Sequence, residues 1–258
     1  MYKGTYDGDK DEIRFVAEFN SNKLKYNNYL TTFSEYSNLW MVRVTTKQYS
    51  KLSGRKVFTR SDCYLASFLD DITGLVEEND YLLTEDILNK KRISYKKVPY
   101  SGISVKMATS NSFQILKTGP NSFKNLFGSY ELGAGASLFC MKDNELPKNV
   151  DLIIGWNTTI ENMVAYFGQF INDNHEFYLN QVICKNIKNY SCAEIKRVIE
   201  ENTTLQEKIF NGITLYEEPY TAFYFYHGNE IERLTTIPFN VTTGSGRSHG
   251  DYTIVLKP

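Results

Sequence analysis

Ser101-Gly102-Ile103-Ser104-Val105-Lys106-Met107-Ala108-Thr109-Ser110-Asn111-Ser112-Phe113, taken with Arg60-Ser61-Asp62 about forty residues upstream, decides how this chain is read. Ile103, Val105 and Met107 alternate with Ser104, Lys106 and Ala108, the period of two that marks a strand with one face in a core. Lys106 therefore shares a face with Ser104. Pro99 and Gly102 mark where the strand begins, and the polar run Thr109 to Ser112 turns the chain at its end. One ammonium on a strand of small residues, with an aspartate on an earlier strand, can gather a divalent cation, a water and a phosphate. The plainer alternative for such a lysine is a solvated edge position.

Working outward from that strand, the pattern predicts a mixed sheet with helices. A helix over 10–20 carries Ile13, Phe15, Val16, Ala17 and Phe19 as an apolar stripe. Glu12 falls inside that stripe beside Val16 and Phe19, so it either has a buried partner or is a first-turn acid favoured by the helix dipole. Strands follow over 39–44 and 61–68, the second opened by Asp62, with the basic loop Ser53-Gly54-Arg55-Lys56 between them. A short helix or turn is expected over 113–117 and an apolar strand over 151–156. Helices are expected over 158–175, 192–201 and 205–210. Thr158 with Glu161 and Ser191 with Glu194 have capping-box spacing, and Gly212 closes the last helix. A hairpin ends the chain, 234–241 against 252–256. Its loop glycines, at 244, 246 and 250, are spaced as GxGxxxG and run into a strand, unlike a phosphate-cradling loop before a helix.

With 258 residues the chain can bury a substantial core. The expected fold is one α/β domain over 1–258: a catalytic core at about 8–156, a helical segment at about 157–215 and a C-terminal β-hairpin at about 216–258. Net charge is −1, yet residues 41–124 hold 14 Lys plus Arg against 8 Asp plus Glu. A local positive region on a neutral protein suits phosphate binding. Four cysteines without a CxxC pair, and three histidines, suggest neither a zinc cage nor a disulfide framework. Without an apolar signal core or a long apolar run, a cytoplasmic protein with no membrane partner is expected.

The oxygen-rich pieces suit phosphodiester hydrolysis, which requires charge neutralisation at the phosphate and a deprotonated water. Mg²⁺ supplies both and binds through one or two carboxylates. Asp62 and Glu12 are the candidate carboxylates, Lys106 the candidate catalytic cation, Ser104 a weak ligand or water holder, and the Val105 carbonyl a further metal ligand. At this point the residues resemble a family. A helix with Glu12, then Ser61-Asp62, then Ser104-Val105-Lys106 is similar to the PD-(D/E)xK nuclease core, with an Asp on one strand and a carboxylate-x-Lys on the next. Small short-site (four-base) type II restriction endonucleases are the nearer resemblance. It extends to Ser110-Asn111, Phe113-Gln114-Ile115 and the closing segments 242–248 and 251–258. Two departures stand out: no proline precedes Asp62, and Ser104 occupies the position of the usual carboxylate.

The resemblance implies a restriction-endonuclease-like fold and a Mg²⁺-dependent enzyme that cuts double-stranded DNA at a short sequence and leaves 5′-phosphate ends. It also implies a cognate DNA methyltransferase in the same cell and leaves monomer or homodimer open. Ser245, Arg247, Ser248 and His249 of the terminal loop, with Asn111 and Gln114, are the expected DNA contacts. Arg247 is the candidate guanine reader. Arg55, Lys56 and Arg60, within the basic stretches 43–60 and 90–97, would meet the DNA backbone. Two alternatives stay open: a non-catalytic DNA-binding relative, and a repair or junction nuclease.

Overall fold

The computed structural model describes residues 7–45, 61–107, 115–141, 143–172, 176–213, 220–226, 230–233, 239–243 and 254–257. Helix α1 is Asp7–Ser21, and the strands are β1 Leu39–Arg43, β2 Cys63–Phe68, β3 Tyr95–Lys97, β4 Gly102–Met107, β5 Leu116–Thr118, β6 Tyr220–Tyr226, β7 Glu230–Arg233, β8 Asn240–Thr243 and β9 Ile254–Lys257. Together with the helices between them they make a mixed α/β protein. Its chain divides into two compact units, 1–111 with 210–236 and 112–209 with 237–258. This division cuts across the contiguous segments expected from the sequence.

The first unit is built on a sheet of order β1-β2-β4-β6-β7, with β3 beside β2. β1 and β2 are antiparallel in the register Met41↔Leu65 and Arg43↔Cys63. β4 meets β2 at one position, Cys63↔Ile103, and runs parallel to β6 from Gly102↔Tyr220 to Met107↔Phe225. β6 and β7 were not anticipated as strands. The run Tyr220-Thr-Ala-Phe-Tyr-Phe-Tyr lacks alternation, and its aromatic content was the available signal. β3 takes the far end of β2, at Ala66↔Lys97, so Leu65 falls between two partners. The buried Ser101 hydroxyl fills the gap, accepting the Leu65 N–H at 3.0 Å and donating to the Val98 carbonyl at 2.7 Å, while the Val98 N–H reaches the Leu65 carbonyl at 2.9 Å.

The expected amphipathic helix forms, one turn longer at its start, and lays Phe15, Val16 and Phe19 on the sheet face that carries Met41, Cys63, Leu65 and Ile103. Burying each such side chain is worth about 1.5–3 kcal/mol. The opposite face buries Trp40, Val42, Tyr64, Ala66 and Phe68 against Ile72, Val76, Leu83 and Leu88. Both faces are thus covered near β1 and β2. Asn20 then locks the helix to β1. Its amide oxygen accepts the Met41 N–H at 2.9 Å, and its Nδ2 donates to the carbonyls of Met41 at 2.9 Å and Tyr81 at 3.0 Å.

In the second unit β9 lies between β5 and β8, so the closing hairpin forms over 240–243 and 254–257 and gains a third strand. That third strand, Leu116–Thr118, corrects the helix or turn expected over 113–117. The strand expected over 151–156 is the helix Asn149–Gly155: Leu152, Ile153 and Trp156 are buried while Ile154 is 63% exposed, a helical spacing that a short apolar run conceals. The helix expected over 158–175 is cut to Ile160–Tyr166 with Thr159, not Thr158, as its cap. Thr158 instead donates to Glu131 at 2.6 Å. The 192–201 prediction is the last half of a helix spanning Gln181–Glu201, capped by Asn180, with Ser191 buried in its middle. Thr203–Asn211 ends at Gly212 with a positive φ, as expected. A Cβ on Gly133 would overlap the Trp156 ring and one on Gly135 the Ser191 hydroxyl, so the helix Glu131–Ser137 packs through bare backbone.

Asn20→Leu is expected to lower stability by roughly 2–4 kcal/mol in urea unfolding without changing the slope, because it strands one buried N–H and two carbonyls at the β1 edge. A loss below about 0.5 kcal/mol, the range of an ordinary surface substitution, would show that water replaces the amide there.

Candidate active site

The site forms where β2 and β4 part. The Asp62 N–H donates to the Ile103 carbonyl at 2.8 Å, and the Val44 N–H donates to the Asp62 carbonyl at 3.0 Å. Beyond that point the two strands no longer share a backbone ladder. The Asp62 side chain takes over: its Oδ2 accepts the Val105 N–H at 2.7 Å. In an extended strand the N–H and C=O of one residue face the same edge, so the Val105 carbonyl turns to the Asp62 edge as well. An aspartate and a main-chain oxygen are therefore gathered at the strand seam.

Ser104 and Lys106 alternate with Ile103 and Val105, and so occupy the sheet face away from α1. Lys106 Nζ donates to Ser104 Oγ at 2.8 Å. Ser104 is buried and Lys106 half-buried. The serine hydroxyl acts here as the acceptor that sets the lysine's direction, a role a carboxylate in its place would fill with charge. Cys63 sits beside these residues with its thiol buried on the α1 face. Burial pushes that thiol well above its ordinary value, Asp62 and Glu12 push it further, and Arg43 opposes them. A thiol held protonated in this way is no nucleophile.

Glu12 comes to the sheet from α1 and meets Arg43, whose Nε and Nη2 lie 3.1 and 3.0 Å from its Oε2. Both side chains are largely covered, at 17% and 21% exposure for Arg43 and Glu12. Of the two alternatives open for Glu12, a covered partner or a solvated first-turn position, the structure has the first. Arg43 was legible as a basic residue at a strand end; its pairing with a helix residue 31 positions earlier was not. The structure thus brings Asp62, Val105, Ser104 and Lys106 together, and brings Glu12 to Arg43.

Arg43 also lines a cleft of about 420 Å³ with Ile13, Thr45, Asn79, Leu82, Thr84, Asp86, Ile87, Lys90 and Lys91. Among the described residues its one acid besides the pair partner of Arg43 is Asp86, which accepts the Thr45 hydroxyl at 3.0 Å; the adjacent Glu85 accepts the Thr45 N–H at 3.2 Å and the Tyr64 hydroxyl at 3.0 Å. The remaining expected DNA contacts, Arg55, Lys56, Arg60, Asn111, Gln114, Ser245, Arg247, Ser248 and His249, lie outside the described residues. Among the described residues no three His, Cys, Asp or Glu side chains cluster as a metal-holding group, and no helix is long and apolar enough to cross a membrane. No family model, curated protein or solved structure matches the chain.

Asp62→Ala is expected to cost about 1–3 kcal/mol of stability, because it leaves the Val105 N–H without its acceptor. Asp62→Asn keeps an oxygen at that position and should cost less than half as much. Equal losses in both variants, measured by urea unfolding, would mean that the charge of Asp62 rather than its hydrogen bond holds the seam.

Proposed function

We propose that the protein is a Mg²⁺-dependent endonuclease that hydrolyses double-stranded DNA at a short sequence, built on a restriction-endonuclease-like PD-(D/E)xK core. One observation carries this reading: the Asp62 carboxylate is hydrogen-bonded to the backbone of the strand that bears Ser104-Val105-Lys106. The resemblance in sequence asks for an aspartate on one strand beside an x-x-Lys segment on its neighbour.

The donor set suits Mg²⁺, a hard ion that takes oxygen ligands and uses as few as one carboxylate when substrate phosphate completes its shell. Asp62 and the Val105 carbonyl are the oxygens that would hold it. When bound, the ion supplies charge neutralisation at the scissile phosphate and lowers the pKa of a water. The chain's own contribution is orientation. Ser104 steers the Lys106 ammonium, which is offered to a non-bridging phosphate oxygen or to the attacking water. Asp62 is held rigid by Val105, so it loses little freedom when a ligand arrives. Base reading by the 244–251 loop, 5′-phosphate products and a protective methyltransferase in the same cell belong to the same proposal.

A second reading has one observation in its favour. The hydroxyl at 104 already accepts from Lys106, an arrangement that also suits a DNA-binding protein that has lost one acidic ligand. Purified protein incubated with long unmethylated duplex DNA, in Mg²⁺ and in EDTA, separates these readings. Fragments that share one short sequence at every end are expected, abolished by EDTA and reduced by at least about 10²-fold in Asp62→Asn and Lys106→Ala, the loss typical for a catalytic charge. Asp62→Asn keeps an oxygen for the Val105 N–H, so its inactivity together with a native-like urea unfolding transition reports chemistry. Duplex binding without cutting in any divalent metal would replace the nuclease reading with the DNA-binding one. Cleavage confined to branched or damaged duplex would point instead to a repair or junction nuclease.

A further inference from the structure

In the second unit one end of the three-stranded sheet gathers three strand ends. Thr118, the last residue of β5, pairs with Ile254, the first of β9, and Ile254 pairs in turn with Thr243, the last of β8. The stretch 244–253, which holds the expected base readers, therefore leaves the sheet in the same row as Thr118. From that row Gly119 leads straight into the helix Pro120–Phe127, and Asn121 is its second residue. Asn121 is exposed, and its Oδ1 accepts two hydrogen bonds, from the Tyr130 hydroxyl at 3.1 Å and from Asn157 Nδ2 at 3.0 Å. Two donors occupy both lone pairs of that oxygen, so the amide is held in one orientation and what it presents is its NH₂. Asn157 uses one N–H and presents its Oδ1; neither that oxygen nor Asn121 Nδ2 has a protein partner among the described residues. Lys124 Nζ lies over the Tyr130 ring, 4.4 Å from its centroid, and steadies the phenol. Exposed hydrogen bonds between neutral side chains add little to stability, because water competes for them; their value is to a ligand that meets the amides already oriented. The group is also balanced in charge. Glu131, which accepts the Ser129 and Thr158 hydroxyls beside Tyr130 and Asn157 in sequence, brings one negative charge, and Lys124 brings one positive. Balanced amides suit a neutral hydrogen-bonding edge better than a phosphate. An amide donor joined to an amide acceptor is the complement of adenine in the major groove, where N7 accepts and N6 donates; guanine offers two acceptors there.

We propose that Asn121 and Asn157 read one adenine of the DNA site, Asn121 Nδ2 donating to N7 and Asn157 Oδ1 accepting from N6, with Tyr130 as the positioning residue that fixes the Asn121 amide. The inference rests on the nuclease reading for its ligand, duplex DNA, and adds to it one determinant of sequence: an A·T pair in the recognised site. The two asparagines are 36 positions apart, so only the folded chain shows them as a pair.

The test is selection of bound sequences from a random duplex pool by the full chain, with Ca²⁺ in place of Mg²⁺ and again in EDTA. The native protein is expected to recover a consensus with an A·T position at which adenine is preferred. Asn121→Ala and Asn157→Ala should each weaken that one preference, by roughly 5- to 150-fold, the range for losing a paired base contact, while the other positions keep theirs and the urea midpoint stays native. Tyr130→Phe, which frees the Asn121 amide to turn, should weaken the same preference by less. Replacing that adenine by 7-deazaadenine should weaken binding by the native protein and have no further effect on Asn121→Ala. A consensus unchanged in both asparagine variants would overturn the reading pair. Affinity lost evenly at every position, with a shallower salt dependence, would make the group a phosphate contact and overturn it as well. A lowered urea midpoint with the consensus intact would reduce the network to a tie between helix ends. Native protein that binds no duplex, or binds it without a consensus in either condition, also overturns the proposal. Failure of the nuclease reading appears separately, as a consensus that depends on Asn121 with no cutting in Mg²⁺.

Discussion

A carboxylate standing in for a backbone carbonyl organises the centre of this protein. Where β2 stops pairing with β4, the Val105 N–H would face an empty edge; Asp62 Oδ2 takes it at 2.7 Å. The substitution has a structural and a chemical side. It lets the strands diverge without leaving a buried donor unsatisfied, whose cost is about 1–3 kcal/mol. It also holds an ionisable group at a gap in the sheet, beside main-chain oxygens that a continuous ladder would have used. At the other end of the same pairing, Ser101 closes a similar gap with a neutral hydroxyl. The chain thus spends a charge where chemistry is proposed and a hydroxyl where only closure is needed.

Around that seam the packing is asymmetric in its reasons. On one face α1 is held by apolar burial and by the three hydrogen bonds of Asn20. A helix anchored by burial alone can slide along a sheet; one anchored by an amide that mimics a strand edge cannot. This fixes where Glu12 meets Arg43, and Arg43 in turn sits at the end of β1 next to the seam. On the opposite face, Tyr64 and Tyr95 share a hydrogen bond at 3.1 Å, Tyr64 also donates to Glu85, and burial pushes the Tyr64 phenol well above its ordinary range. Glu85 thereby ties Tyr64 of β2 to Thr45 just beyond β1.

The second unit shows a different economy. Its central helix, Glu131–Ser137, is buried over most of its length and touches its neighbours through glycine, alanine and serine. Close approach of backbones replaces large side chains, and the bulk is supplied by Trp156, Phe123 and Phe167 from the neighbouring helices. Packing of this kind depends on the absence of single methyl groups, and interiors at native density do not absorb an added one without movement.

Periodicity decided the parts of this structure that rest on local contrast. Alternation from Ile103 to Lys106 makes a strand, the apolar stripe of 13–19 makes a helix, and Ser104 and Lys106 share a face, all because side-chain direction repeats every two or 3.6 residues whatever the neighbours. Where contrast fails, so does the reading: 151–156 and 220–226 are both apolar runs without alternation, and one is a helix while the other is a central strand. Which it becomes depends on what lies beside it, a partner strand for β6 and a helical layer for Trp156. The same limit applies to the candidate site. Asp62 and Lys106 were legible as residues suited to phosphate chemistry, and Glu12 as an acid that was either covered and partnered or solvated in a first turn. That Asp62 bonds to Val105, and that Glu12 answers to Arg43 rather than standing alone, are decided by tertiary structure. Hydrogen bonds act over about 3 Å, and only the folded chain brings residues 43 and 31 positions apart within that reach.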